Sequence, residues 1–138
     1  MLNRFYSLIF ILIASIFWSC SGQNHPPMLA GASAPDSLAK GDTLSYYIFI
    51  SAFDPEGPDD IDSVYFVVTR PDGTPNPTHF GMHDDGMGGD SVAGDNRYTQ
   101  GIQAPAPQNQ SGDYIFTFNA FDKDNNKSNN PHVIITAF

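Results

Sequence analysis

The 138-residue chain has a single cysteine, a single tryptophan and a single glutamate, Glu56. One cysteine excludes an intrachain disulfide, so stability must come from packing, alone or with a bound ion. Basic residues are scarce as well: six Lys and Arg face fifteen acids, a net charge of −9. Nucleic-acid binding needs clustered Lys and Arg, and direct docking on anionic lipid needs the same, so the composition argues against both. Fourteen of the acids are Asp. A helical surface favours Glu, whereas Asp closes turns or serves as a short carboxylate ligand. No window carries a helical apolar stripe, and there is no G-x-S-x-G, P-loop, H-E-x-x-H or EF-hand loop. No Ser-His-Asp order stands out, and paired carboxylates in loops without a cleft suit glycoside hydrolysis poorly. The expectation is a non-enzyme with no catalytic residue.

What is present begins with a leader. Arg4 supplies a positive start, residues 8–18 form a short apolar core broken only by Ser15, and Ser19 precedes Cys20. That is the layout of a secretory signal peptide, and it falls short of the ~20 apolar residues of a membrane span. Residues 16–20 resemble the lipobox of bacterial lipoproteins, with Phe17-Trp18 bulkier than usual. The resemblance implies lipidation at Cys20 and a membrane partner through that anchor. The expected organisation is a lipoprotein signal peptide over residues 1–19, a tether over 20–35 and a β-sandwich over 36–138. Ser21 is not an acidic retention signal, so the expected location is the bacterial cell envelope, as an outer-membrane lipoprotein facing the periplasm or the surface.

Beyond the tether the hydrophobic period is two. Leu44, Tyr46, Ile48, Ile50 and Ala52 alternate with less apolar neighbours, as do Val64, Phe66 and Val68, then Tyr114, Phe116, Phe118 and Ala120, then Val133, Ile135 and Ala137. Each series marks a strand with one face in a core. Weaker strands fit residues 78–83 and 98–103, and a first strand lies between residues 28 and 38. The fold class expected is all-β: an immunoglobulin-like or fibronectin III-like sandwich of about seven antiparallel strands. Tyr114 is placed to act as a tyrosine corner. Tyr47, Phe49, Tyr65 and Phe121 fall on the faces opposite the core and are expected to form an exposed apolar patch.

Residues 84–98 read DDGMGGDSVAGDNRY, with four Asp and four Gly in fifteen residues. Neither helix nor strand accommodates such a run. Strand alternation sends this loop, the loop after residue 53 and the loop after residue 121 to one pole, which then holds eleven of the fifteen acids. Two readings stand. The Asp side chains close turns through Asx hydrogen bonds, the commoner role. Alternatively they hold calcium, which takes ~6–8 oxygen ligands. The candidate metal sets are Asp84, Asp85, Asp90 and Asp95, and separately Asp54, Glu56, Asp122 and Asp124. His79 and His83, four apart on a strand, stand ~13 Å from each other, too far to share an ion.

Three phrases carry a further resemblance. AFDPEG followed by DIDSV at residues 60–64, the DDG, GD and AGDN-x-YT pattern of residues 84–99, and GDY to Asp122 with Asn126 and Ser128 resemble bacterial immunoglobulin-like domains of the choice-of-anchor type. The middle phrase also resembles the fibronectin-like domain of calcium-activated chloride channel regulators. Asn96 stands where Gly is usual, and Asn tolerates the left-handed turn such a site needs. The resemblance implies an accessory module for binding or scaffolding, with an envelope protein or a polysaccharide as partner. The alternatives are a calcium-dependent adhesion or carbohydrate-binding module and, behind it, a small hydrolase.

Overall fold

A computed structural model describes residues 22–138; the leader and Cys20 lie outside the described residues. The described residues form eight strands: β1 (Met28–Ser33), β2 (Ser37–Leu38), β3 (Ser45–Phe53), β4 (Ile61–Thr69), β5 (Phe80–Gly81), β6 (Arg97–Gln103), β7 (Gly112–Asp122) and β8 (His132–Ala137). They make two sheets, β1-β3-β6 and β2-β8-β7-β4-β5. All neighbours are antiparallel except β2 and β8, which run parallel. This is an all-β, two-sheet sandwich of the immunoglobulin-like and fibronectin III-like class.

The inner faces follow the period of two. Ile48, Ile50 and Ala52 of β3 meet Val64, Phe66 and Val68 of β4 and Phe116, Phe118 and Ala120 of β7 in one buried cluster. Phe66 is the hub: its ring packs on Phe80 at 5.1 Å, Phe116 at 5.4 Å and Phe118 at 6.2 Å. Such offset and edge contacts add to the burial of large aromatic surfaces.

Several expectations shift. The single first strand is two, because the edge chain leaves β3 after Ser33 and pairs beside β8 from Ser37. β1 therefore occupies Met28–Ser33, inside the segment read as tether. The strand expected over residues 78–83 pairs with β4 only at Phe80 and Gly81. Before it, Asn76 Oδ1 accepts the Thr78 N–H in an Asx turn; after it, His83 has crossed to bond Thr99 of β6. Leu44 precedes β3 and is 62 % exposed, since no strand covers the alternation at that end.

The aromatic patch also divides. Tyr47 and Phe49 lie on the outer face of the three-stranded sheet, whereas Tyr65 and Phe121 lie on the outer face of the five-stranded one. Tyr65 is stacked between His79 at 4.9 Å and Phe121 at 6.3 Å, and the Arg97 guanidinium sits 3.9 Å above the Phe49 ring. Lying on opposite outer faces of the sandwich, these rings form no single apolar surface.

The far pole is tied by side chains. The Tyr114 hydroxyl donates to the Gln110 carbonyl at 2.9 Å, the geometry of a tyrosine corner. Gln110 Nε2 donates to Asp72, which also accepts from the Thr74 hydroxyl and N–H. The Thr74 hydroxyl, then its N–H and Gln110, hold the Asp72 carboxyl down at about 2. Replacing Tyr114 by Phe should cost about 1 kcal/mol in denaturant melts, the net worth of one hydrogen bond. Replacing Phe118 by Ala should cost roughly 3–5 kcal/mol through lost burial and the cavity left. A carboxyl NMR titration should find Asp72 titrating near 2, and Thr74→Ala should raise it. Because the folded value is depressed, this contribution to stability is full above the unfolded value and is lost as pH falls toward 2.

Candidate metal site at the acidic pole

The strand register fixes which loops share an end. Phe53 pairs with Met28, Ser51 with Arg97 and Ile61 with Asp122. The end of β3, the start of β4, the start of β6 and the end of β7 therefore come together, and with them residues 54–60, 84–96 and 123–131. The segment before β1 reaches the same end. Lys123 N–H donates to the Asp60 carbonyl at 2.9 Å, joining two of the loops.

Within this pole the aspartates have two different fates. In the loop before β6 they are occupied by backbone donors. Asp84 accepts N–H groups from Gly94 at 2.7 Å, Asp95 at 3.2 Å and Asn96 at 2.8 Å. Asp90, only 8 % exposed, accepts from Gly86 at 2.7 Å and Val92 at 3.2 Å. Asp85 accepts from Met87, and Asp95 from Arg97. Asn96 has φ 66°, the left-handed turn in which Asn replaces Gly. Gly89, at φ 98°, lies against the Tyr47 ring, where an added Cβ would fall 2.5 Å from a ring carbon. That close approach seats the loop on the outer face of β3. Carboxyl oxygens of Asp84, Asp90 and Asp95 come within 4.8 Å of one another, and Asp85 stands outside this group.

Asp122 is likewise structural. It is 1 % exposed, and its carboxylate accepts the Asp124 and Asn126 N–H groups and the Asn126 side-chain amide. This closes the turn after β7, where Asn125 has φ 64°.

The loop after β3 differs. Carboxyl oxygens of Asp54, Glu56 and Asp60 lie within 4.8 Å of one another. Two Ca–O bonds of ~2.3–2.6 Å placed end to end span about this distance, so one ion can touch all three. Among the described residues, four buried side-chain polar atoms lack a hydrogen-bond partner. Three are at this pole: Asp54 Oδ2, Asp60 Oδ2 and Asn24 Oδ1. Asn24 is held beside the group by its amide nitrogen, which donates to Asp124 Oδ2 at 2.6 Å, and by His25, whose N–H and Nδ1 meet the two Glu56 oxygens at 3.2 and 2.8 Å. Burial raises the Asp54 carboxyl above its ordinary value; the Glu56 N–H opposes this, while a side-chain hydrogen bond with Glu56 and then the charges of Asp60 and Glu56 add to it. The His25 side chain, first of several partners, lowers Glu56. Buried acceptors without donors are costly and uncommon. The convergent carboxyl oxygens of Asp54, Glu56 and Asp60 are the kind of donor set a hard cation takes.

The sequence readings placed Asp54 and Glu56 with Asp122 and Asp124. The structure brings Asp54 and Glu56 together with Asp60, commits Asp122 to a turn, and leaves Asp124 holding Asn24. Asp60 is legible only as one of several acids in its loop. Asn24 carries no local signal, because its place depends on a contact 100 residues away in sequence.

No protein-family model matches the chain, and no curated protein matches it. Twenty-four solved chains do. One is a Niemann-Pick type C2 protein from the Japanese carpenter ant, 7 % identical with TM-score 0.50, covering 83 % of this chain and 95 % of that one. Another is the PKD domain of an M14-like peptidase from a Thermoplasmatales archaeon, at 17 % identity, TM-score 0.49, and 83 % and 97 % coverage. A third, the fibronectin(III)-like modules of Clostridium thermocellum CbhA, has 17 % identity, TM-score 0.49, and 80 % and 46 % coverage. At these identities the likeness is one of sandwich fold.

Within the loop before β6 the number of backbone donors each Asp satisfies sets the cost of removing it. Asp84→Ala strands three backbone N–H groups and should lower stability by about 2–3 kcal/mol in chemical denaturation. Asp85→Ala, which frees one exposed N–H, should cost less than about 1 kcal/mol.

Proposed function

We propose that this chain is a non-catalytic binding or scaffolding module of the bacterial cell envelope, anchored by lipid at Cys20, whose acidic pole binds Ca²⁺. The observation that carries the cation reading is the convergence of Asp54, Glu56 and Asp60 carboxyl oxygens within 4.8 Å, with Asp54 Oδ2 and Asp60 Oδ2 lacking a hydrogen-bond partner. Both are acceptors without a donor, and the surrounding charge is negative. A soft or nitrogen-preferring metal finds no thiolate here, and His25 Nδ1 is engaged with Glu56. Calcium fits the all-oxygen set and the irregular loop geometry better than magnesium, which demands a near-ideal octahedron.

The non-catalytic reading rests on the site's chemistry. Among the described residues, His25 is the histidine paired with a carboxylate, and no Ser or Thr hydroxyl is hydrogen-bonded to it. No nucleophile-base pair is therefore assembled at the pole. Lipid anchoring and envelope location rest on the leader and Cys20 alone. Sugar stacking on Tyr65 finds little support, because its ring face is already shared with His79 and Phe121.

A thermal melt tests the cation. Extracellular calcium modules bind with Kd of about 0.1–1 mM, so ~5 mM Ca²⁺ should add about 1–2 kcal/mol, or roughly 4–10 °C, reversed by EDTA. Absence of any shift at that concentration refutes the site. Asp54→Asn should abolish the calcium response yet raise the melting temperature in EDTA near neutral pH. The sign follows from the raised Asp54 value: ionising this carboxyl in the folded state is unfavourable, so its removal relieves the metal-free protein. Asp84→Asn should leave the calcium response intact.

A further inference from the structure

We infer that the free edge of β6 is a peptide-binding groove: an extended, apolar segment of a partner protein adds there as the fourth strand of the β1-β3-β6 sheet, with an acidic residue beside Arg70. The inference rests on the reading of this chain as a binding module and does not depend on calcium. β6 is an edge strand. His83 and Thr99 exchange both backbone bonds, at 3.0 and 2.8 Å, so Thr99 faces away from β3. Ladder bonds alternate along a strand, and Gly101 and Gln103 therefore turn their backbone groups the same way. The chain begins a fourth strand at His83 and abandons it, turning into residues 84–96. Beyond Thr99 the edge carries no proline and no charge, the usual guards against strand addition. The Gly101 carbonyl is covered only by the side chain of Gln100, whose Nε2 donates to it at 3.1 Å.

A groove of about 580 Å³ runs along this edge. Its walls come from both sides of β6. Phe66, Phe80 and Phe116 line it from between the sheets, Tyr47 lines it from the outer face of β3, and Gly101 lies between. Successive side chains of a strand point to opposite faces. An added strand would therefore set one side chain on the phenylalanines and the next on Tyr47, while its backbone met Gly101 and Gln103. A compact ligand would fill one side only and leave those backbone groups unpaired. None of the lining residues is charged, in a chain with fifteen acids, so the body of the segment is uncharged. The groove continues past Val68, Asn109 and Tyr114 into a hollow lined by Arg70. Arg70 forms no ion pair among the described residues, and its side-chain contacts, to Thr74 and Pro75, are long at 3.4 and 3.5 Å. A carboxylate is the complement of that end. This is strand addition, in which backbone bonds supply affinity and pockets for alternate side chains supply selectivity.

The test uses the full chain in detergent and an array of synthetic peptides of roughly six residues, a usual strand length. Each alternates Thr with Val, Ile, Leu or Phe and carries Glu, or Gln in its place, at one end or the other. Peptides of the array should bind and slow amide exchange of Gly101 and Gln103 by about tenfold or more, read by NMR. Gly101→Pro removes an edge N–H that takes no part in the β3 ladder, at a position where proline is accepted, and should bind about tenfold more weakly. Should that variant fail to fold, protection of the two amides in the unsubstituted chain decides. Arg70→Gln should weaken the Glu peptides several-fold at low salt and leave the Gln peptides unchanged. Failure of every peptide to bind, or binding that leaves both amides exchanging as in the free chain, overturns the inference. Equal binding by a folded Gly101→Pro also overturns it, and an unchanged affinity in Arg70→Gln overturns the acidic end. Protection that grows with the concentration of the chain alone assigns the edge to a second copy and overturns the peptide reading. The calcium melt stands or fails separately from all of these.

Discussion

Everything at the acidic pole depends on one packed layer between two sheets. Ile48, Ile50, Phe66 and Phe118 are almost fully inaccessible, and they belong to β3, β4 and β7. Because side chains alternate along a strand, the requirement to bury these residues sets the facing of each strand and forbids a register slip of one. The antiparallel order then decides where every loop emerges. The loops after β3 and β7 and the loop before β6 end up together, whatever their own sequences prefer. The Asp-rich text did not create the pole; the apolar text of the strands carried it there.

That division explains how much of the fold was legible. Period-two alternation marks β3, β4, β7 and β8 because each has one face in the core along most of its length. It fails at the margins, where pairing decides and burial does not. Leu44 continues the alternation of β3 one step past its last partner and stays exposed. β1 and β2 read as one strand because nothing in residues 28–38 states that the chain changes sheets. β5 is short because Thr78 before it turns its N–H to Asn76 and His83 after it pairs with Thr99, although Met82 N–H still reaches Val64 of β4. Tyr47, Phe49, Tyr65 and Phe121 were correctly placed outside the core, but the sequence does not say which sheet each strand joins, and so not that the rings face opposite sides.

The site was legible as a pole and not as a set of ligands. An Asp in a loop looks the same whether its oxygens accept N–H groups or face none. The difference is set by the local turn. In residues 84–96 glycines and Asn96 fold the backbone so that successive N–H groups point at Asp84 and Asp90, which makes those carboxylates part of the scaffold. Asp122 is satisfied in the same way by Asn126. After β3 the chain instead runs through Pro55 and Pro58, which have no N–H to give. Asp54 obtains one donor, from Glu56, and its second oxygen obtains none. A run of turn residues containing proline is thus a poorer source of donors than a run containing glycine, a distinction that spacing of acids alone does not show.

Satisfied and unsatisfied carboxylates also respond differently to their neighbours. A carboxylate whose oxygens already accept two or three N–H groups gains little by exchanging those donors for a metal. One that is partly buried beside other acids, with a single N–H donor, is less favourable in its charged form, and burial raises the Asp54 carboxyl above its ordinary value. A bivalent cation removes burial cost and like-charge repulsion at once, so its effect is largest where the metal-free arrangement is least favourable. By that criterion the richest cluster of Asp in the chain, residues 84–95, is the weaker candidate. The smaller group of Asp54, Glu56 and Asp60 is the stronger one.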